Sequence, residues 1–339
     1  MSSPLHPWND NLWQRLVQLR VQLPHALLLH GRAGIGKLAV AERFVRLLLC
    51  EQPQAGGSVA CGQCPSCHWM GQGSHPDFRK LQPAALEDDD AADSIETPER
   101  KSATAGQQIS VAQIRSLNEF VHLSTHRGGL RVALIHPAEA LNNAAANALL
   151  KTLEEPPAHV VLILVSHHPS RLLPTILSRC HQLRFTLPDP TDALAWLNQH
   201  KVQHAAACLA QAGGAPLLAQ QLAETDYQAR RQAFLTGLLQ VSVADSLRLA
   251  EQHAKHSMVE LIHWLQQWQH DLLSLQLTGQ LRYQVDFAAQ LRGLAGRANL
   301  IRLLAFERRL QAARASAQHP LNPQMVLEDV LLEYANLFV

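Results

Sequence analysis

The chain carries almost no excess of charge: 29 Lys and Arg stand against 28 Asp and Glu, a formal +1 over 339 residues. That balance excludes a global basic field that would gather nucleic acid by attraction alone, and leaves open only a local basic face. Long hydrophobic runs are missing too, so no segment reaches the length of a membrane span. The opening Met1-Ser2-Ser3-Pro4-Leu5-His6 has no signal-peptide pattern. A cytoplasmic protein without membrane partners is therefore expected.

Other absences fall on one motif. Gly31-Arg32-Ala33-Gly34-Ile35-Gly36-Lys37 follows the phosphate-binding loop pattern up to its final position. There the pattern demands Ser or Thr, whose hydroxyl holds Mg²⁺, and this chain has Leu38. A P-loop ATPase also needs carboxylates at the end of a nearby strand, to hold Mg²⁺ and to activate water. The strand expected from residue 131 runs instead into His136-Pro137-Ala138-Glu139. Histidine is a poor ligand for a hard cation and proline offers no side-chain donor. Glu139 is expected to come too late, at the start of the following helix. Together these absences disfavour Mg²⁺ and hydrolysis at this loop. Gly31, Gly34, Gly36 and Lys37 remain candidate residues for binding ATP or ADP. The other reading is a relic loop that keeps its shape because glycine permits the tight turn.

What is present starts with cysteine. Of six, Cys50, Cys61, Cys64 and Cys67 cluster within eighteen residues, while Cys180 and Cys208 stand apart. In a reducing compartment such a cluster reads as metal ligands rather than disulfides. Four soft sulfur donors suit tetrahedral Zn²⁺, and a complete shell leaves no position for water, so the site is expected to be structural, with unliganded thiols or an iron–sulfur cluster as the other readings. His68 adjoins the cluster as a bystander. No Lys or Arg lies between Cys50 and Cys67, which weakens a reading of this segment as a DNA-binding module. The 19 histidines show no ligand spacing, and His167-His168 is expected to be a surface turn.

The first half alternates apolar strands with helical stretches. Strands are expected at 26–30, 78–81, 131–136, 160–166 and 182–185, and helices at 37–50, 110–123, 138–155 and 170–177, with Ser110 as a cap. This alternation predicts a mostly parallel sheet with helices on both faces. Residues 84–108, rich in acidic and polar side chains, are expected to be a long surface loop. After Pro190 the strands stop. Short helices are expected at 192–200, 202–212 and 217–225. From about residue 228, long amphipathic helices follow, with stripes such as Val259, Ile262, Leu265 and Leu291, Leu294, Leu300, Leu303. At 339 residues, two or three domains are expected.

At Ala144-Ala145-Ala146-Asn147-Ala148-Leu149-Leu150-Lys151-Thr152-Leu153-Glu154-Glu155-Pro156-Pro157 the chain closely resembles a signature of bacterial clamp-loader subunits. Ser178-Arg179-Cys180 resembles the same family's Ser-Arg-Cys motif, and Gly213-Gly214-Ala215-Pro216-Leu217 also matches. The cysteine spacing and the P-loop position agree with them. The resemblance to the AAA+ clamp-loader family of bacterial DNA polymerase III is strong from 26 to 185 and architectural beyond.

It implies an α/β P-loop (AAA+-like) domain at 1–187 with an inserted zinc module at 50–67 and the loop at 84–108. A small helical lid at 188–227 and an all-α collar bundle at 228–339 follow. It further implies a hetero-oligomeric ring with clamp-loader ATPase subunits and a delta subunit, which places a sliding clamp on primed DNA. ATP sites in such rings lie between subunits, and the carried-over catalytic residue is Arg179, acting in trans. Arginine offers a permanently charged fork for phosphate oxygens; the plainer reading is that Arg179 pairs with a carboxylate at the sheet edge. Residues 213–218 contain no arginine to sense nucleotide, which fits a non-hydrolysing member. The alternative is an independent DNA-dependent ATPase of the same type, for which Lys37 would be essential.

Overall fold

The computed structural model describes residues 5–87, 105–123, 129–240, 242–316 and 322–338. The chain divides into two compact units, Met1–Pro188 and Asp189–Val339.

The first unit is built on five strands: β1 Ala26–His30, β2 Phe78–Leu81, β3 Arg131–Ile135, β4 Val160–Ser166 and β5 His181–Arg184. They pair in the order β2-β3-β4-β1-β5, every pair parallel. All five residues of β3 and all seven of β4 are buried. A parallel sheet covered on both faces reads in sequence as continuous apolar runs, which is why these strands stand out. Register sets His30 opposite Ser166 and Ile135 opposite Leu164. The C-terminal ends of β1, β3 and β4 therefore lie side by side, where a parallel α/β sheet places its ligand crevice.

Among the described residues, seven helices accompany the sheet: α1 Asp10–Leu19, α2 Lys37–Leu49, α3 Pro65–Gly71, α4 Ala84–Glu87, α5 Val111–His122, α6 Asn143–Glu154 and α7 Pro174–Leu177. Ser110 caps α5 through a reciprocal box: its hydroxyl accepts from the N–H of Gln113 at 3.3 Å, and Gln113 accepts from the N–H of Ser110 at 2.8 Å.

The single helix expected over 138–155 is in fact a 3₁₀ turn, Ala138–Ala140, followed by α6. The break arises because the carbonyl of Ala140 accepts from the N–H of Ile109 at 2.8 Å, drawing the backbone sideways. Asn142 then restarts the helix by accepting from the N–H of Ala145 at 2.8 Å. The stretch 170–177 divides likewise into a turn at Pro169–Arg171 and α7, whose first residue, Pro174, needs no N–H partner. Of the loop expected at 84–108, the described ends form α4 and a 3₁₀ turn at Ala105–Gln107; residues 88–104 lie outside the described residues.

The described residues of the second unit contain no strand. Its helices are α8 Pro190–Gln199, α9 Ala205–Gln211, α10 Pro216–Leu222, α11 Thr225–Gly237, α12 Val243–His253, α13 Met258–Thr278, α14 Ala288–Ala295, α15 Leu300–Ser316 and α16 Pro323–Ala335. One core joins α11 to α16 around Trp264 and Trp268. Each indole N–H is satisfied by a tyrosine hydroxyl, Tyr227 at 2.7 Å and Tyr334 at 3.0 Å, so burying two large rings leaves no orphaned donor. Of the expected stripes, Ile262, Leu265, Leu291, Leu294 and Leu303 are buried, whereas Val259 and Leu300 lie exposed at 47% and 39%. Both occupy the first turn of a helix, where the apolar face has not yet met its neighbours.

Candidate nucleotide and metal sites

The phosphate-loop residues bridge β1 and α2. Gly36 sits just before α2 with φ +86°, and a Cβ there would meet the His6 ring at 2.7 Å. Only glycine accommodates both the left-handed backbone and that close ring. The N-terminal segment fastens the loop further: the Trp8 indole and the Asn9 amide donate to the Ile35 carbonyl at 3.0 and 2.9 Å. Lys37 is buried and turns its ammonium back to the Arg32 carbonyl. Burial pulls its pKa down to about 8, opposed by the charge of Glu139. In this structure the loop's own backbone holds the lysine.

Where Mg²⁺ ligands would stand, the structure places two imidazoles. His136 follows β3 and His167 follows β4, with Nε2 atoms 3.3 Å apart and rings at 83°. Burial lowers both to about 4; for His136 the neighbouring His167 adds to this, and for His167 the charge of Lys37 does. Both are neutral at pH 7, and neutral nitrogen donors suit a hard divalent cation poorly. The surface turn expected at His167-His168 is thus corrected: the register of β3 and β4 brings His167 into the strand-end crevice.

Glu139 is also corrected. It lies in the short turn Ala138–Ala140, not at the start of a long helix, and its side chain reaches back to the strand ends. Its Oε1 accepts from the N–H of His167 at 2.9 Å. Burial alone would raise its pKa, but hydrogen bonds from the N–H groups of Glu139 and His167 and from Ser166 outweigh that and hold it below the usual range. Oε2 is buried and makes no hydrogen bond among the described residues. Among the described residues the crevice brings together the Glu139 carboxylate, the Lys37 ammonium and the neutral imidazoles of His136 and His167. It can cradle an anion through loop N–H groups and Lys37, but it lacks the hydroxyl and the paired carboxylates of a Mg²⁺ site.

Arg179 lies outside that crevice, between α7 and β5. Cys180 anchors the segment, buried at 8% exposure, with burial pushing its thiol up to about 11. The neighbouring Arg179 side chain is 35% exposed and pairs with Glu154 Oε1 at 2.8 Å. It also donates to the Thr175 carbonyl at 3.1 Å. In the free chain the plainer expectation for Arg179, a carboxylate partner, is what the geometry shows.

The cysteines converge. Ligand sulfurs of Cys50, Cys61, Cys64 and Cys67 all lie within 4.8 Å of one another, and Cys61 and Cys67 approach to 3.9 Å. Sulfurs about 2.3 Å from a tetrahedral zinc would stand about 3.8 Å apart. N–H groups of Gln63 and Cys64 point at Cys61 Sγ at 3.4 and 3.3 Å, and that of Cys67 at Cys64 Sγ at 3.4 Å. These backbone donors lower the Cys61 pKa to about 6, the direction that favours a ligating thiolate, whereas burial raises the thiols of Cys50 and Cys67. His68 contributes no ligand atom to the group.

A family model described as "DNA polymerase III, delta subunit" matches residues 9–189, and one described as "DNA polymerase III, delta subunit, C terminal" matches 225–336. The DNA polymerase III subunit delta' of Pseudomonas aeruginosa is 37% identical over 344 residues, covering 98% of both chains. The chain belongs to the delta-prime family of DNA polymerase III subunits. The subunit of the same name from Yersinia pestis is 34% identical over 271 residues, covering 77% of this chain and 74% of the other. Delta' of Escherichia coli is 34% identical over 246 residues, covering 71% and 67%.

Sequence reasoning missed the roles of His136, Glu139 and His167 as one cluster, and of His6, Trp8 and Asn9 as a clamp on the loop. The direct run of each strand into a histidine, β3 into His136 and β4 into His167, was a signal for the first, though only the strand order brings the two together. None existed for the clamp, which joins residues 26 or more positions apart.

Proposed function

We propose that this chain is a non-hydrolysing ring subunit of a clamp loader, in which Arg179 completes the ATP site of a neighbouring ATPase subunit while a sliding clamp is loaded on primed DNA. One observation carries the reading. Its own loop faces a single carboxylate and two neutral imidazoles, while Arg179 offers its guanidinium partly to solvent. A permanently charged fork that reaches a neighbour's phosphate can stabilise transition-state charge by about 10³–10⁵ in rate. The partners are clamp-loader ATPase subunits and a delta subunit. Residues 188–227 serve as the lid and 228–339 as the collar that holds the ring. Cys50, Cys61, Cys64 and Cys67 hold one structural Zn²⁺, whose chemistry is to fix the fold of the insert. An Arg179→Ala chain should fold and assemble normally yet lower ATP turnover by the reconstituted complex. Wild-type turnover would sink the reading.

A second reading is favoured by Glu139, an ionised carboxylate facing Lys37: an independent DNA-dependent ATPase. ATP turnover by the purified chain alone, abolished by Lys37→Ala, would establish that reading in place of the first.

A further inference from the structure

Glu154 is the last residue of α6 and stands in the segment Leu153-Glu154-Glu155-Pro156. Its Oε1 is 2.8 Å from Arg179 Nη2, and the two side chains are 50% and 35% exposed. The other guanidinium nitrogen donates to the carbonyl of Thr175 at 3.1 Å and to the hydroxyl of Ser178 at 3.4 Å. These partners hold the fork against its own α6–α7 edge. A phosphate oxygen and a carboxylate oxygen compete for the same N–H donors, so a phosphate can take the Nη2 N–H that Glu154 holds, and draw the fork off this edge, only if Glu154 gives it up.

We propose that Glu154 is a positioning residue that parks Arg179 in the free subunit and is displaced by the phosphate of a nucleotide bound on a neighbour. The proposal rests on the reading of Arg179 given above. The contact is a brake, not a lock, because an exposed ion pair shifts an equilibrium only about 1.4- to 5-fold.

The test uses the reconstituted complex with ATP as the varied substrate. Glu154→Gln should raise kcat/KM for ATP about two- to five-fold at low salt, and the gain should fade near 0.5 M salt as screening weakens the pair. Glu154→Asp, which keeps the charge, should return kcat/KM toward wild type. Because exposed Glu155 is adjacent and can substitute as a partner, Glu154→Gln/Glu155→Gln is measured alongside and should show the full gain. Unchanged or lowered kcat/KM in both the single and the double variant overturns the proposal. Arg179→Ala in the same assay separates the two ideas: if it lowers turnover while the glutamate variants do nothing, only the parking role falls. If Arg179→Ala has no effect, the reading of Arg179 falls as well.

Discussion

Two places on the first unit could deal with nucleotide phosphate, and they are built in opposite ways. The loop crevice is buried and closed on its own chain: Lys37 donates to Arg32, while Trp8 and Asn9 hold Ile35 and His6 fills the space beside Gly36. The Ser178-Arg179-Cys180 edge is anchored by a buried cysteine and leaves its arginine half-open, held by an exposed ion pair with Glu154 and by hydrogen bonds to Thr175 and Ser178. A site that must act within its chain needs a full set of ligands, and the crevice lacks them. A site that acts on another chain needs only one charged group, firmly rooted and free to move. On the proposed reading, the two halves of an ATP site are divided between chains, with one half losing its chemistry while the other keeps it.

The largest effect expected of this contrast is on the Arg179 side. Arg179→Ala should cost the site it completes about 10³–10⁵ in rate, with the loss in total turnover set by that site's share. Single-site turnover in the complex measures it, and a loss under ten-fold would break the comparison.

Next comes the cysteine cluster, which starts at Cys50 on the C-terminal end of α2, the opposite end of that helix from the loop. About one zinc per chain is expected in protein purified without added metal, read by elemental analysis. Cys64→Ser should lose the metal and lower the melting temperature, because metal binding is folding free energy for such a cluster. Metal-free wild-type protein would refute the assignment.

The crevice should also show itself in acid. His136 and His167 are held at about 4 in the fold, against 6.5 ordinarily. Between those values the unfolded chain binds protons that the folded chain refuses, so stability falls as pH drops from 6.5 to 4. The expected loss is about 2–3 kcal/mol, the two groups being coupled. Urea titrations across that range should show it, and His136→Gln/His167→Gln should flatten it. A variant whose pH slope matches the parent would contradict the buried pair.

Smaller still, Gly36→Ala should destabilise by about 1–3 kcal/mol, for its left-handed backbone and the His6 ring together. Thermal unfolding reads the change, and a neutral result would mean that the N-terminal clamp does not close on the loop.

Much of the fold was legible because parallel strands buried on both faces write themselves as Leu27-Leu28-Leu29 or Val160-Val161-Leu162-Ile163. Ser110 was legible as a cap because its partner, Gln113, is three residues away. The cysteines were legible because short spacing in a turn brings sulfurs together whatever the rest of the chain does. The crevice was not. His136, Glu139 and His167 meet through the pairing of β3 with β4, and no local pattern carries strand order. The broken helix at 138–155 failed for a related reason, since Ala140 is drawn off by Ile109, 31 residues earlier in the chain. Arg179 was found through motif resemblance, while its contact with Glu154 across 25 residues required the fold.

The most direct test of the divided site is DNA- and clamp-stimulated ATP turnover in the reconstituted complex, with Arg179→Ala and Lys37→Ala compared side by side. The account predicts a loss with Arg179→Ala and wild-type turnover with Lys37→Ala. Loss with Lys37→Ala and none with Arg179→Ala would contradict it, and would make the closed crevice, with Glu139 as its carboxylate, the working site.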